Sequence, residues 1–467
     1  MIKPILDQTF KPAIIAIREF NQLVSGYKDK QHIHIAVERD QGYIYRREFD
    51  ILPDGVNDKL NNYIVERFIK SILWLVGGFK IYIAGSHKVY KAIKIYYSPK
   101  GQRAFDYDFM TTCYERPVEV VECTSETIPA EKSCSIPLGG NLNGKRIGFD
   151  AGGSDRKTSA VLNGETIYSE EVVWQPKLQE DIQYHYDEIY TAFKTSIDKL
   201  GGDVDYIGVS TAGVIINNRP MVSSLFIKTK KSDFERVKGV YINTIERLEK
   251  ELGHKIPYVI ANDGDVTALA GALDLKDNCV LGIAMGTSEA VGYVNKDGNL
   301  NGWLSELAFV PVDFQDNAPV DEWSHDYGVG CKYFSQDAVI RLAEQIGVKF
   351  SEGISLGEKL KAVQKLAKER DEDVFNIFRT IGVYLAYTIA YYAEFYEIKH
   401  LMLLGRVMSD VGGDIILETA KETLKVEFPE YKNINICTPS EYMRRVGQSI
   451  AAASLAKWFK KLLIIFL

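Results

Sequence analysis

The chain has 467 residues, of which 46% are apolar and 25% charged, and its formal net charge is −7. These proportions are globular and exclude disordered, collagen-like and coiled-coil classes; the length predicts two to four domains with ample core. The acidic balance argues against a nucleic-acid partner, because phosphate binding leaves a basic footprint.

In chain order, residues 31–50 read as a hairpin. His32-Ile33-His34-Ile35-Ala36-Val37 and Tyr43-Ile44-Tyr45-Arg46-Arg47-Glu48-Phe49 flank a turn at Asp40-Gln41-Gly42. Ile64, Phe68, Ile72 and Leu75 recur at helical spacing and predict a helix over 61–76, stopped by Gly77-Gly78. Phe79-Lys80-Ile81-Tyr82-Ile83-Ala84 follows as a buried strand. His87, Lys88, Tyr90, Tyr96 and Tyr97 read as an ordinary half-exposed helix and strand, with a ligand surface as the other reading. A polar stretch over 123–135, then Pro137-Leu138-Gly139-Gly140-Asn141-Leu142-Asn143-Gly144, marks a linker.

Downstream, strands and helices alternate, which predicts an α/β architecture. Strands fall at 146–150, 205–210, 256–260, 279–285, 290–294 and 401–405. The charged run 232–252 predicts a helix. Phe378, Ile381, Leu385, Ile389 and Tyr392 stripe a long helix over 374–395, and the chain closes on an amphipathic helix after Gly447. The apolar tail over 458–467 is shorter than the ~20 residues that span a bilayer, and reads as the end of a packed helix, with partner or membrane-surface contact as the other reading. Six cysteines without a CxxC spacing, and a start of Met1-Ile2-Lys3-Pro4 without a signal peptide, predict a reduced cytoplasmic protein.

Three motifs carry chemistry. In Ile147-Gly148-Phe149-Asp150-Ala151-Gly152-Gly153-Ser154, a strand ends in an acid and turns through two glycines. Such glycines let backbone N–H groups approach a phosphate, and the acid can order water around magnesium. In Ile260-Ala261-Asn262-Asp263-Gly264-Asp265, a strand delivers Asn-Asp at the edge where open α/β sheets place their chemistry. An Asp there can accept a proton from a hydroxyl, or Asp263 or Asp265 can cap the following helix. In Leu281-Gly282-Ile283-Ala284-Met285-Gly286-Thr287-Ser288-Glu289, Gly286-Thr287 sits at a hairpin turn that can hold a second phosphate. Each glycine turn reads equally as an ordinary hairpin.

The order and spacing of these motifs from residue 145 onward resemble the ROK family of sugar kinases and sugar-responsive repressors, in the actin, hexokinase and Hsp70 superfamily. Ser210-Thr211-Ala212-Gly213-Val214 resembles the family's strand end near the sugar. Gly302-Trp303-Leu304-Ser305-Glu306-Leu307-Ala308-Phe309-Val310-Pro311 resembles its Gly-Glu-x-Gly-His-x-Pro stretch, and Leu404-Gly405 its adenosine strand. The resemblance implies an α/β, two-lobed actin-like (ribonuclease H-like) fold. Residues 1–144 form an added α/β domain, for regulation, dimerisation or acceptor-site completion if not for packing alone. Residues 145–265 form lobe I and 266–467 lobe II, with the last helix returning to lobe I.

The implied activity is ATP-dependent phosphoryl transfer to a sugar or sugar-like hydroxyl, with no nucleic-acid or membrane partner. Asp263 is the implied catalytic base. Gly152, Gly153, Ser154, Gly286 and Thr287 are implied to hold phosphates, Gly405 the adenosine, Asp150 the hydrated Mg2+, and Asn262, Gly213 and Glu306 the acceptor. Against the family pattern, only Gly330-Cys331 survives of its zinc cluster, so no structural zinc is expected. Phe309 stands at the family's His position and Tyr333 at its second sugar-binding Glu. Glu289 brings a carboxylate beside the second phosphate turn, which repels phosphate unless it is turned outward. A non-catalytic sugar or metabolite sensor on the same scaffold is the alternative.

Overall fold

The computed structural model describes residues 1–134 and 139–456, with backbone alone for 441–446. Residues 135, 137, 138 and 458–467, assigned above to the linker and the closing helix, lie outside the described residues. The chain divides into two compact units. Met1–Cys134, Cys279–Asn295 and Asn301–Thr438 form the first, and Ser135–Asn278, Lys296–Leu300 and Pro439–Leu467 the second. The N-terminal segment thus groups with 279–438, and the change of unit falls after Asn278 where 265/266 is the expected lobe boundary.

The first unit opens with α1 (Ala13–Ser25), β1 (Gln31–Glu38), β2 (Ile44–Ile51), α2 (Asp58–Leu75), β3 (Lys80–Ala84), α3 (His87–Tyr96), α4 (Ala104–Tyr114) and β4 (Glu119–Glu122). The sheet order is β2-β1-β3-β4, with β1 antiparallel to both neighbours and β4 parallel to β3. Ile33, Ile35 and Val37 alternate into the core, as a period of two requires. The Asn57 side chain caps α2 by accepting from the Leu60 N–H at 3.1 Å.

The second unit is built on β5 (Lys145–Ala151), β6 (Asp155–Leu162), β7 (Glu165–Val173), α5 (Ile182–Lys199), β8 (Tyr206–Thr211), the small hairpin β9 (Val214–Ile216) and β10 (Arg219–Val222), α6 (Phe234–Lys238), α7 (Val240–Leu252), β11 (Tyr258–Asn262) and α8 (Asp263–Leu275). The charged run expected as one helix is two, α6 and α7, separated at Gly239. Strand order is β11-β8-β5-β6-β7. The first three strands are parallel and β5-β6-β7 is an antiparallel meander. One face buries Ile147, Phe149, Ile207 and Val209 against Ile189, Phe193, Tyr241 and Ile245 of α5 and α7.

The chain continues through β12 (Val280–Met285), β13 (Glu289–Val294), α9 (Gln336–Gln345), α10 (Leu356–Lys368), α11 (Glu372–Tyr392), β14 (His400–Leu404), α12 (Asp410–Glu427) and β15 (Asn435–Cys437) in the first unit, then α13 (Glu441–Ala453) in the second. The order β13-β12-β14-β15 pairs β12 antiparallel with β13 and parallel with β14, which pairs parallel with β15. Phe378, Ile381, Leu385, Ile389 and Tyr392 are fully buried on α11, as their spacing predicts. No helix among the described residues is long and apolar enough to cross a membrane.

Helix α13 lies on the other face of the second unit's sheet, over β5 and β8, and glycines allow that approach. A Cβ on Gly208 would fall 1.7 Å from the Ala452 carbonyl oxygen, and one on Gly148 1.8 Å from that of Ser449. These obstacles are backbone, so helix or strand must move. Gly208→Ala is therefore expected to cost about 1–3 kcal/mol in denaturant unfolding; an unchanged midpoint would remove this packing argument.

Candidate functional site

In the second unit, the C-terminal ends of parallel β5 and β11 bring two carboxylates within electrostatic reach. Asp150 ends β5 with only 7% of its surface exposed, and the Ser210 hydroxyl of β8 donates to its Oδ1 at 2.7 Å. Burial pushes the Asp150 carboxyl up to about 6; Ser210 opposes the shift and Asp263 adds to it. Asp263, half-buried at the first position of α8, is also raised by burial, against the Gly264 N–H and Lys177, which lower it. Capping of α8 falls to Asn262 rather than to Asp263 or Asp265. Its Oδ1 accepts from the Gly264 N–H at 2.7 Å, and its Nδ2 donates to the Gly213 carbonyl at 2.8 Å. Gly213 has φ +106°, and a Cβ there would lie 2.2 Å from the Val222 carbonyl oxygen, so this turn requires glycine.

Gly152, Gly153 and Ser154 form the turn from β5 to β6. The Trp174 indole donates to the Gly152 carbonyl at 2.8 Å, and Ser154 donates to Asp155 Oδ2 at 3.0 Å. A Cβ on Gly152 would meet the Asp155 carbonyl oxygen at 2.6 Å, and one on Gly153 the Lys177 Cε and Nζ at 3.0 and 3.1 Å. The turn is thus a cradle that side chains would fill, with an ammonium beside it. Its chemistry fits a phosphate, and the neighbouring Asp150 fits hydrated magnesium. Lys177 and Ser210 are the partners that sequence reasoning did not assign here. Lys177 arrives on the link from β7 to α5, where no local pattern marks it.

In the first unit, Gly286, Thr287 and Ser288 turn from β12 into β13. The Gly286 N–H donates to the Ser288 carbonyl at 2.9 Å, its carbonyl accepts from the Gln336 N–H at the start of α9, and Thr287 is exposed. Gly405 has φ +96°, and a Cβ there would lie 2.3 Å from the Met285 carbonyl oxygen, which ties the end of β14 to β12. Glu306 is half-buried. Its N–H and those of Ser305 and Leu304 donate to the Trp74, Leu75 and Val76 carbonyls at the end of α2, at 2.9, 2.9 and 3.2 Å. Arg39 donates to the Gly302 carbonyl, and Trp303 packs edge-on to Tyr45 at 5.6 Å.

The repulsion expected from Glu289 depends on which way its carboxylate faces. Glu289 faces inward, not outward: it is 5% exposed, and neither carboxyl oxygen has a hydrogen-bond partner. Alternation along β13 puts it on the same side as buried Val291 and Tyr293. Burial, then Glu306, pushes its carboxyl up to about 8, so at neutral pH it is mostly uncharged and does not repel phosphate. An acid that stays protonated in the fold but ionises when unfolded loses stability as pH rises from its unfolded value toward about 8. Glu289→Gln is thus expected to raise stability at pH 7 by about 1–3 kcal/mol, and by little below pH ~4.5, in denaturant melts at both pH values.

Tyr333 is fully buried, its hydroxyl donating to Asp313 Oδ2 at 2.6 Å. Phe309 packs on Trp74 at 4.5 Å and on Trp323 at 5.1 Å, and the Cys331 thiol, raised by burial, donates to Asp321 Oδ1 at 3.5 Å.

No protein-family model and no curated protein matches the chain. Among solved structures, about two thirds of the chain shares its α/β fold with ROK proteins. A ROK hexokinase from Thermus thermophilus superposes with a TM-score of 0.52 at 15% identity, over 67% of this chain and 98% of the other. A ROK-family transcriptional regulator, described as a homologue of the E. coli MLC protein, superposes at 0.51 with 14% identity, over 67% of this chain and 78% of the other. The fold is thus shared by a kinase and a regulator, and does not choose between them.

Proposed function

We propose that the chain is an ATP-dependent kinase that phosphorylates a hydroxyl of a sugar or sugar-like small molecule. The observation that carries this reading is the pair Asp150 and Asp263, both raised by burial, at the strand ends beside a glycine cradle. When bound, MgATP supplies the phosphoryl group. Asp263 accepts the proton of the acceptor hydroxyl, and its raised pKa makes it a stronger base than an exposed carboxylate. Asp150, anionic above about pH 6, orders water around the magnesium ion. The N–H groups of Gly152 and Gly153, with Ser154 and Lys177, receive phosphate oxygens. Gly286 and Thr287 take the second phosphate contact and Gly405 the adenosine. Glu306, Asn262 and the Gly213 turn hold acceptor hydroxyls.

A non-catalytic sugar sensor is the second reading, favoured by Tyr333: buried on Asp313, it offers no second acceptor carboxylate. A coupled assay of ADP release across hexoses, amino sugars and acylated hexosamines separates the two. Acceptor-dependent turnover supports the kinase. Acceptor binding without turnover above that of Asp263→Asn supports the sensor.

A further inference from the structure

The outer face of the N-terminal hairpin carries a cluster that the kinase reading leaves unused. His32 and His34, two apart on β1, share one face of the strand, and antiparallel pairing sets them opposite Asp50 and Glu48 of β2. His32 Nδ1 lies 2.8 Å from Asp50 Oδ1 and His34 Nδ1 3.0 Å from Glu48 Oε2, while the two rings meet edge to face at 4.7 Å. One ligand atom from each of His32, His34 and Glu48 lies within 4.8 Å of the others. A tetrahedral zinc ion needs donors about 3.3 Å apart at Zn–N distances near 2.0 Å, so small side-chain rotations suffice.

The cluster already attracts positive charge. Arg46 Nη2 stands 3.2 Å from His34 Nδ1 and 3.4 Å from Glu48 Oε2, and Lys30 Nζ is 2.7 Å from Asp50 Oδ2. Both cations are on partly exposed, flexible side chains that can swing away. As ordinary surface pairs, these contacts contribute only about 0.2–1 kcal/mol each. Their convergence on one point is what a chelate requires.

We propose that His32, His34 and Glu48 form a binding site for a divalent transition-metal ion of the zinc, nickel or copper type, with Asp50 orienting His32. Two imidazoles select such ions over magnesium and calcium, which prefer all-oxygen sites. The site lies on a different element from Cys331 and is independent of the kinase reading.

The test is calorimetric titration of the full chain with zinc chloride, repeated with magnesium chloride, for the wild type, His32→Ala, His34→Ala and Arg46→Ala, with circular dichroism to establish folding. The expected result is one zinc per chain and no magnesium heat, with each histidine variant binding at least about tenfold more weakly. Arg46→Ala should bind zinc more tightly, because the competing guanidinium is gone. Absence of zinc binding, or unchanged zinc affinity in a folded His32→Ala/His34→Ala double variant, would overturn the proposal. Weaker zinc binding by Arg46→Ala would do the same.

Discussion

Asp326→Ala is expected to lower the stability of the first unit by about 3–5 kcal/mol, because it strands buried cations. Asp326, 3% exposed, accepts from Arg67 Nη2 at 3.1 and 3.2 Å and pairs with Lys70 Nζ at 3.2 Å and Arg103 Nη1 at 2.9 Å. Glu66 and Asp106 complete the set. Arg67 reaches Glu66 Oε2 at 2.9 Å, and Lys70 and the Trp74 indole both donate to Asp106 Oδ1 at 2.7 Å. Three cations and three anions are thus buried together in close balance. Burial would raise the Asp326 carboxyl, but Lys70 and Arg67 outweigh it and hold it below the ordinary range. Its contribution is therefore present above the unfolded carboxylate pKa and is lost as pH falls through the lowered folded value. Denaturant unfolding of variant and wild type, followed by circular dichroism, reads the loss. An unchanged midpoint at neutral pH, or equal acid sensitivity of variant and wild type, would contradict the expectation.

The second large effect is on turnover. Once an acceptor is identified, Asp263→Asn should reduce kcat by about 10²–10⁴-fold, the usual contribution of a positioned general base, with little change in the acceptor KM. The amide keeps the shape of the carboxylate and can still accept from the Gly264 N–H, which Asp263 Oδ1 does at 3.0 Å. Removing a carboxyl that burial disfavours should also leave the melting temperature equal or higher. Residual wild-type activity should rise with pH through about 6 as Asp150 ionises. Turnover within threefold of wild type would sink the assignment of Asp263 as base. A collapse of the melting temperature would make its role structural.

Much of the fold is legible along the chain where the hydrophobic period is strong. The α11 stripe, the hairpin of β1 and β2 and the edge ending at Asn262 and Asp263 all fall where periodicity places them. The glycine turn after β5 and the acid at that strand's end are legible for the same reason, since each is a local pattern. What could not be read is what tertiary contact decides. Glu289 looks like a surface carboxylate in a turn, yet β-strand alternation buries it. Lys177 meets Gly153 only because the connection after β7 folds back. The helix expected over 232–252 breaks because Gly239 interrupts it, a residue that in sequence reads as only mildly unfavourable in a helix. Residues 1–134, without a motif of their own, group with 279–438 through a buried charge network whose members lie about 260 positions apart in places, such as Arg67 and Asp326.

The hydrogen bonds from Leu304, Ser305 and Glu306 to the end of α2 have a mechanical consequence. The last carbonyls of a helix are normally closed by the next few residues of their own chain. Here they are closed by a loop more than two hundred residues downstream, which carries Glu306, the carboxylate proposed above to hold the acceptor. An axial slide or tilt of α2 is therefore transmitted to Glu306 through backbone rather than through adaptable side chains. That makes the N-terminal segment a rigid handle on the Glu306 loop, and any input that shifts α2 reaches that loop directly.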